Sequence, residues 1–543
     1  MVFARRSTTL LAAIIASCAM VLSLTACTSD NKTVVDGQTT VTSNSAGGVA
    51  VFTPSDGITL NQQTPLNKWA KLVPDLAKAL ADAGFKKGDI DHTTSDSLAK
   101  QSRAIQDFVV DHLSNNTTDD SGIAIAPDNM TLLVAPVVEA DASTRQYGDY
   151  VSQNLSTNDA TDGEATSDGE SSEDDSSKDD SSNTESDSTA SDEQAQAVDR
   201  LVSSLKLAKE SGMHVVLLGN SIEGYKPDAF VKFSDAQTIG KLQAEKMVSK
   251  LKLDKASKDN PKYIEVLLPY TAVDEKGNAN DSTFAQEAFR GIWQVLGSYY
   301  QKGVVESPSG TLDGKSTEND WQAVAYDAAK EGSTAKVLDK RLAKTDGQST
   351  LTRIDGIITM NDYIASEVVK ELDDLGYTGS AADINPQITI SGIVGNITGK
   401  KDLSRDAVPD PIKSPENDNA NDSSSSDDDA DEGTSASDKD RDSQWPLVTG
   451  YGAYVSNIPS IVNGKQWMTG MEDRQTIATD IAQACAKLNK DEALNSMPSI
   501  RNSEVGGVKK IPTISEPLLA VSASNLKSAL IDPGYISLAD AGL

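Results

Sequence analysis

Short, nearly uninterrupted apolar runs, among them "MHVVLLG", "KYIEVLLP", "DGIITM" and "PLVTGY", recur along this chain of 543 residues. A strand with one wet face alternates apolar and polar residues; a strand that is apolar throughout is covered on both sides, as in a parallel sheet sandwiched between helices. The intervening runs fit that plan. "LNKWAKLVPDLAKALADAGF", "SLAKQSRAIQDFVVDHL", "VDRLVSSLKLAKESG", "AQTIGKLQAEKMVSKL", "TFAQEAFRGIWQVLGSYY" and "ASEVVKELDDLGY" carry apolar residues at the three and four spacing of an amphipathic helix. "GGVAVFTPS" (47–55) reads as the first strand, "GIAIAP" as the second and "MHVVLLG" as the third. The units are too many for one compact core, so two α/β lobes are expected. Ligands of such sheets lie beyond the carboxyl ends of the strands. Asn220 with Ser221, Asn361 with Asp362, and Tyr451 with Gly452 hold that kind of position.

The formal charge of -32 is concentrated in two places. Residues 157–194 and 415–442 together hold 25 acidic and 3 basic side chains and almost no apolar ones. Such segments have nothing with which to offset the entropy of ordering and are expected as disordered insertions. Neither has the spaced Asp/Asn ligands, glycine and closing Glu of a calcium loop, so solvated, self-repelling loops are the reading. A chain this acidic, without a basic stripe, is not expected to bind nucleic acid.

The first residues, "ARRSTTLLAAIIASCAMVLSLTAC", run from basic through apolar to small side chains and end at Cys27, the pattern of an export signal. "LTAC" resembles the lipobox of bacterial lipoproteins, which implies lipidation of Cys27 after cleavage and an extracytoplasmic address at the cell membrane. Residues 28–46 are polar and aperiodic and read as a flexible tether. With Cys18 removed and Cys27 lipidated, Cys485 is the one remaining thiol, so neither a disulfide nor a Cys-based metal site is expected.

Nothing points to an enzyme or a cofactor. The three histidines, His92, His112 and His214, have no metal-ligand spacing, and there is no G-x-S-x-G elbow or phosphate loop. No catalytic and no metal-binding residue is expected.

In order along the chain, "HVVLLGNSIEGYKPDAFVKFSDAQTIGKLQAEKMV", "IDGIITMNDYIASEVVKELDDLGY", "PLVTGYGAYVSNIPSIVNGKQWMTGMED" and "IPTISEPLLAVSASNLKSALIDPGYISLADA" resemble segments of a known family. It is the periplasmic-binding-protein-like type I sugar-binding proteins of ABC transporters, in particular the xylose- and multiple-sugar-binding branch. The resemblance covers residues 47–541. It implies two Rossmann-like lobes with parallel sheets, joined by a three-strand hinge, that close on a sugar and present it to a membrane permease. The first lobe is expected over 47–222 and 468–512, the second over 223–467 and 513–543, in a monomer.

The resemblance also implies which residues would meet the ligand. "LNKW" supplies Lys68 as a hydroxyl donor and Trp69 as a stacking face, although Trp69 fits plain core packing equally. Asn361 matches a ligand-binding Asn, with Asp362 behind it; either is also a good helix N-cap. Asn220 and Ser221 stand where the family has Asp-Arg, Tyr451 and Gly452 where it has Gln-Asp, and Glu472 where it has Lys. "NDSTFA", beginning at Asn280 and Asp281, replaces an Asn-rich loop. Tyr451, Trp69 and Trp321 are expected to line the cleft with aromatic surface. These departures imply either a different ligand or a binding fold that senses or serves the cell envelope without transport.

Overall fold

The computed structural model describes residues 34–35, 38–39, 46–55, 65–115, 125–138, 144–151, 153–156, 184–273, 280–343, 351–382 and 443–543. The chain divides into two units, residues 1–44 and 45–543. In the first, Val34–Val35 pairs antiparallel with Gln38–Thr39, a small ordered element inside the stretch expected as plain tether. The stretch expected as an export signal, Cys27 and the acidic segment 415–442 lie outside the described residues.

The second unit holds two large sheets and two two-stranded ones, Leu268–Pro269 with Ala325–Tyr326 and Asn154–Leu155 with Ser221–Ile222. In chain order its main strands are β1 (Gly48–Pro54), β2 (Ile90–Ser95), β3 (Met130–Val134), β4 (His214–Leu218), β5 (Ala229–Lys232), β6 (Lys262–Val266), β7 (Val305–Glu306), β8 (Gly356–Ile358), β9 (Leu447–Tyr451), β10 (Met468–Met471), β11 (Ile500–Val505), β12 (Val508–Ser515) and β13 (Leu519–Ser522). One large sheet runs β11-β12-β5-β4-β3-β1-β2 and the other β7-β6-β8-β9-β10-β13. Pairing is parallel except for the β11–β12 hairpin and β13 on β10. The expected class, two α/β lobes built on parallel sheets, is the one observed.

Burial explains why these runs became strands. Every residue of β3, β8, β9 and β10 is buried, and β4 is buried after His214, so both faces are covered. Helix α1 (Trp69–Asp82) turns Trp69, Leu72, Leu76 and Leu80 into the first lobe, the i, i+3, i+4 stripe of an amphipathic helix. Two local expectations are corrected. Of "GIAIAP" only residues 125–127 are described, and they are not strand: Pro127 opens the 3-10 turn Pro127–Asn129, and the strand is the following "MTLLV". Helix α2 (Leu98–Asn115) forms as the periodicity predicts. Helix α3, however, spans Thr184–Glu210, so the last part of the segment 157–194 expected as disordered is helical; residues 157–183 lie outside the described ones.

The chain passes between lobes three times. After β5 it leaves through Phe233-Ser234-Asp235 into α4 (Ala236–Lys250), which packs on α5 (Thr283–Gln301) of the second lobe. After β10 it returns through Glu472-Asp473 into α7 (Arg474–Leu488), packed on α1; helix α6 (Asp362–Leu375) intervenes in sequence. After β12 it crosses again through Glu516-Pro517-Leu518 into β13. Strand membership therefore places the crossings later along the chain than the expected boundaries at 222, 467 and 512. β5 is a first-lobe strand and β10 a second-lobe strand, because each pairs within that sheet before the chain leaves it.

Candidate functional site

Helix α6 begins where β8 ends, and the turn between them is sharp. Met360 takes a left-handed backbone (φ 68°), as does Ala453 just beyond β9 (φ 50°). Non-glycine residues adopt this region at a cost, and it clusters where a chain must re-aim side chains. Here the re-aimed side chain is Asn361, which is buried: its Oδ1 accepts from the Ile364 amide at 2.9 Å, capping α6. Its Nδ2 donates to Oε1 of Gln146 at 3.1 Å, a residue of the first lobe's 144–151 segment. One amide thus holds both the cap, a role open to Asn361 from sequence, and an inter-lobe contact in the place where a ligand contact was expected.

The same segment takes up Lys68. Its ammonium lies 2.6 Å from Oδ1 of Asp149, whose other oxygen accepts from the Trp69 amide at 3.1 Å. The Asp149 amide donates to the Asn67 carbonyl at 2.8 Å, and the Tyr150 hydroxyl to the Lys68 carbonyl at 2.5 Å. Gly148 makes this approach possible: at φ 96°, a Cβ there would fall 2.5 Å from the Asn67 carbonyl oxygen. Tyr147 meanwhile enters the second lobe's core, its ring 4.6 Å from that of Phe284 and 6.2 Å from that of Tyr451.

The other expected contacts are corrected in turn. Trp69 is core: it meets Tyr150 and Phe233 edge-on at 5.1 and 5.7 Å and is 2% exposed. Trp321 packs against Tyr270 in the second lobe's core. Asn220 is buried and stitches loops together, accepting from the Gln153 amide and donating to the Pro136 carbonyl, both at 2.9 Å. Ser221 donates to Oδ1 of Asn154 at 2.8 Å. Asp362 turns away from the cleft and accepts from the Tyr454 amide at 2.9 Å, the Thr469 hydroxyl at 2.8 Å and the Gln466 amide at 2.7 Å. Burial pushes its carboxyl up to about 6 against those bonds.

Tyr451 and Glu472 meet at the hinge. Glu472, on the second crossing, accepts from the amide of Ser234 on the first at 2.7 Å and from the Ser234 hydroxyl; the Tyr451 hydroxyl lies 2.5 Å from the latter. All three are buried, and burial pushes the Glu472 carboxyl up to about 7. Tyr451 and Glu472 thus belong to a buried network that joins two crossings.

An open cleft of about 470 Å³ remains between the lobes. Thr144, Val151, Gln153 and Asn154 line it from the first lobe, Asp235, Ala236 and Gln237 from the first crossing, and Asp281, Thr283, Phe284 and Glu287 from the second lobe. Of the expected residues only Asp281 lines it. Bonds from the Thr283 hydroxyl (2.7 Å) and amide (2.9 Å) hold Asp281 below the usual carboxylate range, so it is ionised. Burial works to raise Asp235, but Thr238 and Lys232 outweigh it and hold that carboxyl low as well. Asp235 at the crossing and the stretch 144–154 were not singled out from sequence; the first has an N-cap signature, the second no local signal at all. Among the described residues no group of three or more His, Cys, Asp or Glu could hold a metal ion, and no helix is long and apolar enough to cross a membrane.

No family model matches the chain and no curated protein matches its sequence. Solved structures do. One is an ABC transporter solute binding protein from Clostridium phytofermentans with bound beta-D-glucose, 17% identical over 91% of this chain and 99% of that one, with a TM-score of 0.44. A carbohydrate transporter solute binding protein from Chloroflexus aurantiacus, in complex with D-glucose, is 18% identical over 92% and 98%, TM-score 0.42. A periplasmic ribose ABC transporter from Conexibacter woesei is 13% identical over 90% and 96%, TM-score 0.40.

Proposed function

We propose that this chain is an extracytoplasmic solute-binding protein, held at the membrane by lipid on Cys27, that closes two lobes on a polyhydroxylated solute, a sugar in the first instance, for uptake through an ABC permease. The observation that supports it is the cleft walled by both lobes beside the crossings. Its volume of about 470 Å³ lies within the roughly 300–1,000 Å³ of small-molecule sites. Its polar groups are hydroxyls, amides and ionised carboxylates, which accept from and donate to sugar hydroxyls, and Phe284 offers an aromatic surface to apolar C–H groups. Among the described residues the charged side chains of the lining are the carboxylates of Asp235, Asp281 and Glu287. Three crossings close together are what a hinge-bending binding protein needs.

Thermal unfolding of the purified chain with pentoses, hexoses and oligosaccharides tests this. A solute that binds only the native state stabilises it by about 2.7 kcal/mol at a hundred times its dissociation constant. A saturable rise in Tm with one sugar class is expected; no rise with any sugar, from cooperatively folded protein, overturns it.

A second reading, a binding-fold lipoprotein that senses or serves the envelope without transport, is favoured by one observation. Lys68 and Asn361 are both engaged by the chain's own 144–151 segment.

A further inference from the structure

The segment 144–151 leaves the first lobe, touches the second, and returns. Gln146 bonds Asn361 through its side chain and accepts from the Tyr454 hydroxyl at 2.6 Å through its carbonyl. Tyr147 is 1% exposed among second-lobe side chains, and Val151 joins the same cluster. Asp149 pairs with Lys68, which keeps the segment rooted in its own lobe. An amide, an aromatic ring and a carboxylate are thus set between the lobes, each against a complementary partner. That is what a bound ligand would supply, delivered here by eight residues of the protein itself.

We infer that residues 144–151 form a strap, a tethered occupant of the inter-lobe site that holds the lobes together and must withdraw before a solute reaches Lys68 and Asn361. Being covalently attached, it competes at an effective concentration that a free solute reaches only at high dose. If the strap-free state is populated at about 0.1–10%, apparent solute affinity is weakened about ten- to a thousandfold relative to the free site. Competition with a solute rests on the solute-binding function proposed above; closure of the lobes does not.

The test uses spin labels on Lys100→Cys in the first lobe and Lys370→Cys in the second, whose side chains are 67% and 82% exposed, with Cys485 buried and unlabelled. Inter-label distances are measured by pulsed dipolar spectroscopy with and without the Gln146→Gly, Tyr147→Ala, Asp149→Ala triple change. Titrations with D-xylose, D-glucose and L-arabinose run in parallel. A longer and broader distance distribution in the triple variant is the expected result, together with a gain of about tenfold or more in affinity for one sugar. An unchanged distribution in a folded triple variant overturns the strap. Longer distances without any sugar response leave the strap standing and count against the solute-binding function instead. Should the triple variant not fold, Lys68→Met with Tyr454→Phe removes the strap's partners rather than the strap, and the same two distance outcomes decide.

Discussion

The side-chain amide of Asn361 lies 3.1 Å from the side-chain oxygen of Gln146, 215 residues earlier in the chain and in the other lobe. One residue therefore caps a helix of the second lobe and holds a segment of the first. Asn361→Ala removes both bonds, and a cap and a neutral hydrogen bond are each worth about 1 kcal/mol, so a loss of about 2 kcal/mol is expected in urea unfolding. Gln146→Ala removes only the second and should cost about half as much.

Asp362, next in sequence, should prove far more sensitive. Asp362→Ala strands the Tyr454 amide, the Thr469 hydroxyl and the Gln466 amide in a dry interior. Each buried orphan costs about 1–3 kcal/mol, so a loss of about 3 kcal/mol or more is expected, above that of Asn361→Ala. By contrast Lys68→Ala breaks a pair whose side chains are 18% and 19% exposed, and solvent screening limits its effect on stability to about 1 kcal/mol. The ranking Asp362, Asn361, Lys68 is read from denaturation midpoints at constant slope.

Glu472 predicts a pH dependence with a definite sign. Burial raises its folded pKa to about 7, above the ordinary carboxyl value, so between those limits the folded state holds a proton the unfolded state has released. Its contribution to stability is therefore present at pH 4 and lost as pH rises towards 7. Asp362, raised to about 6, adds in the same direction over a lower window. Glu472→Gln keeps an acceptor for Ser234 without the titration. Stability of that variant should fall less between pH 4.5 and 7 than that of the parent, by up to about 3 kcal/mol, measured by urea unfolding at each pH.

Trp69 separates a core role from a ligand role. With its ring enclosed by Tyr150 and Phe233, Trp69→Ala should cost about 3–5 kcal/mol of stability. Trp69→Phe should cost less and leave solute affinity unchanged; a selective loss of affinity in stably folded Trp69→Phe would return the residue to the cleft.

Asp281 should behave in the opposite way. It is an exposed carboxylate on the cleft wall, so Asp281→Asn should change stability by less than about 1 kcal/mol. A charge-assisted bond to a solute hydroxyl is worth about 1.5–3 kcal/mol, so calorimetric affinity should drop roughly tenfold or more.

The alternation of apolar strands and periodic helices was enough to read two parallel-sheet lobes, because burial on both faces leaves no polar alternation to confuse with anything else. β2 escaped notice for the opposite reason: "IDHTTS" is an edge strand, largely exposed, and carries no hydrophobic signature. "GIAIAP" misled in its described part, 125–127, because Ile125 is buried without belonging to a strand. At the site, local pattern offered the cap for Asn361 or Asp362 beside a ligand contact, and the cap is at Asn361. That pattern could not give Gln146, Tyr147 or Asp149, whose significance lies in partners far along the chain. Nor could it distinguish Trp69 as core from Trp69 as cleft wall, since both require the same residue on the same helix face.

The repeated crossing of the chain also sets the order in which the molecule can be made. The core face of the first lobe is built from residues 46–85 on one side and Ile477, Ile481, Cys485 and Leu494 on the other. Strand β12, which seals the open side of β5, comes later still. A chain emerging amino end first must carry that apolar face uncovered until nearly all of it has been synthesised. The lobe that begins first is thus closed only after most of the second has been made, and β13 of the second lobe follows it.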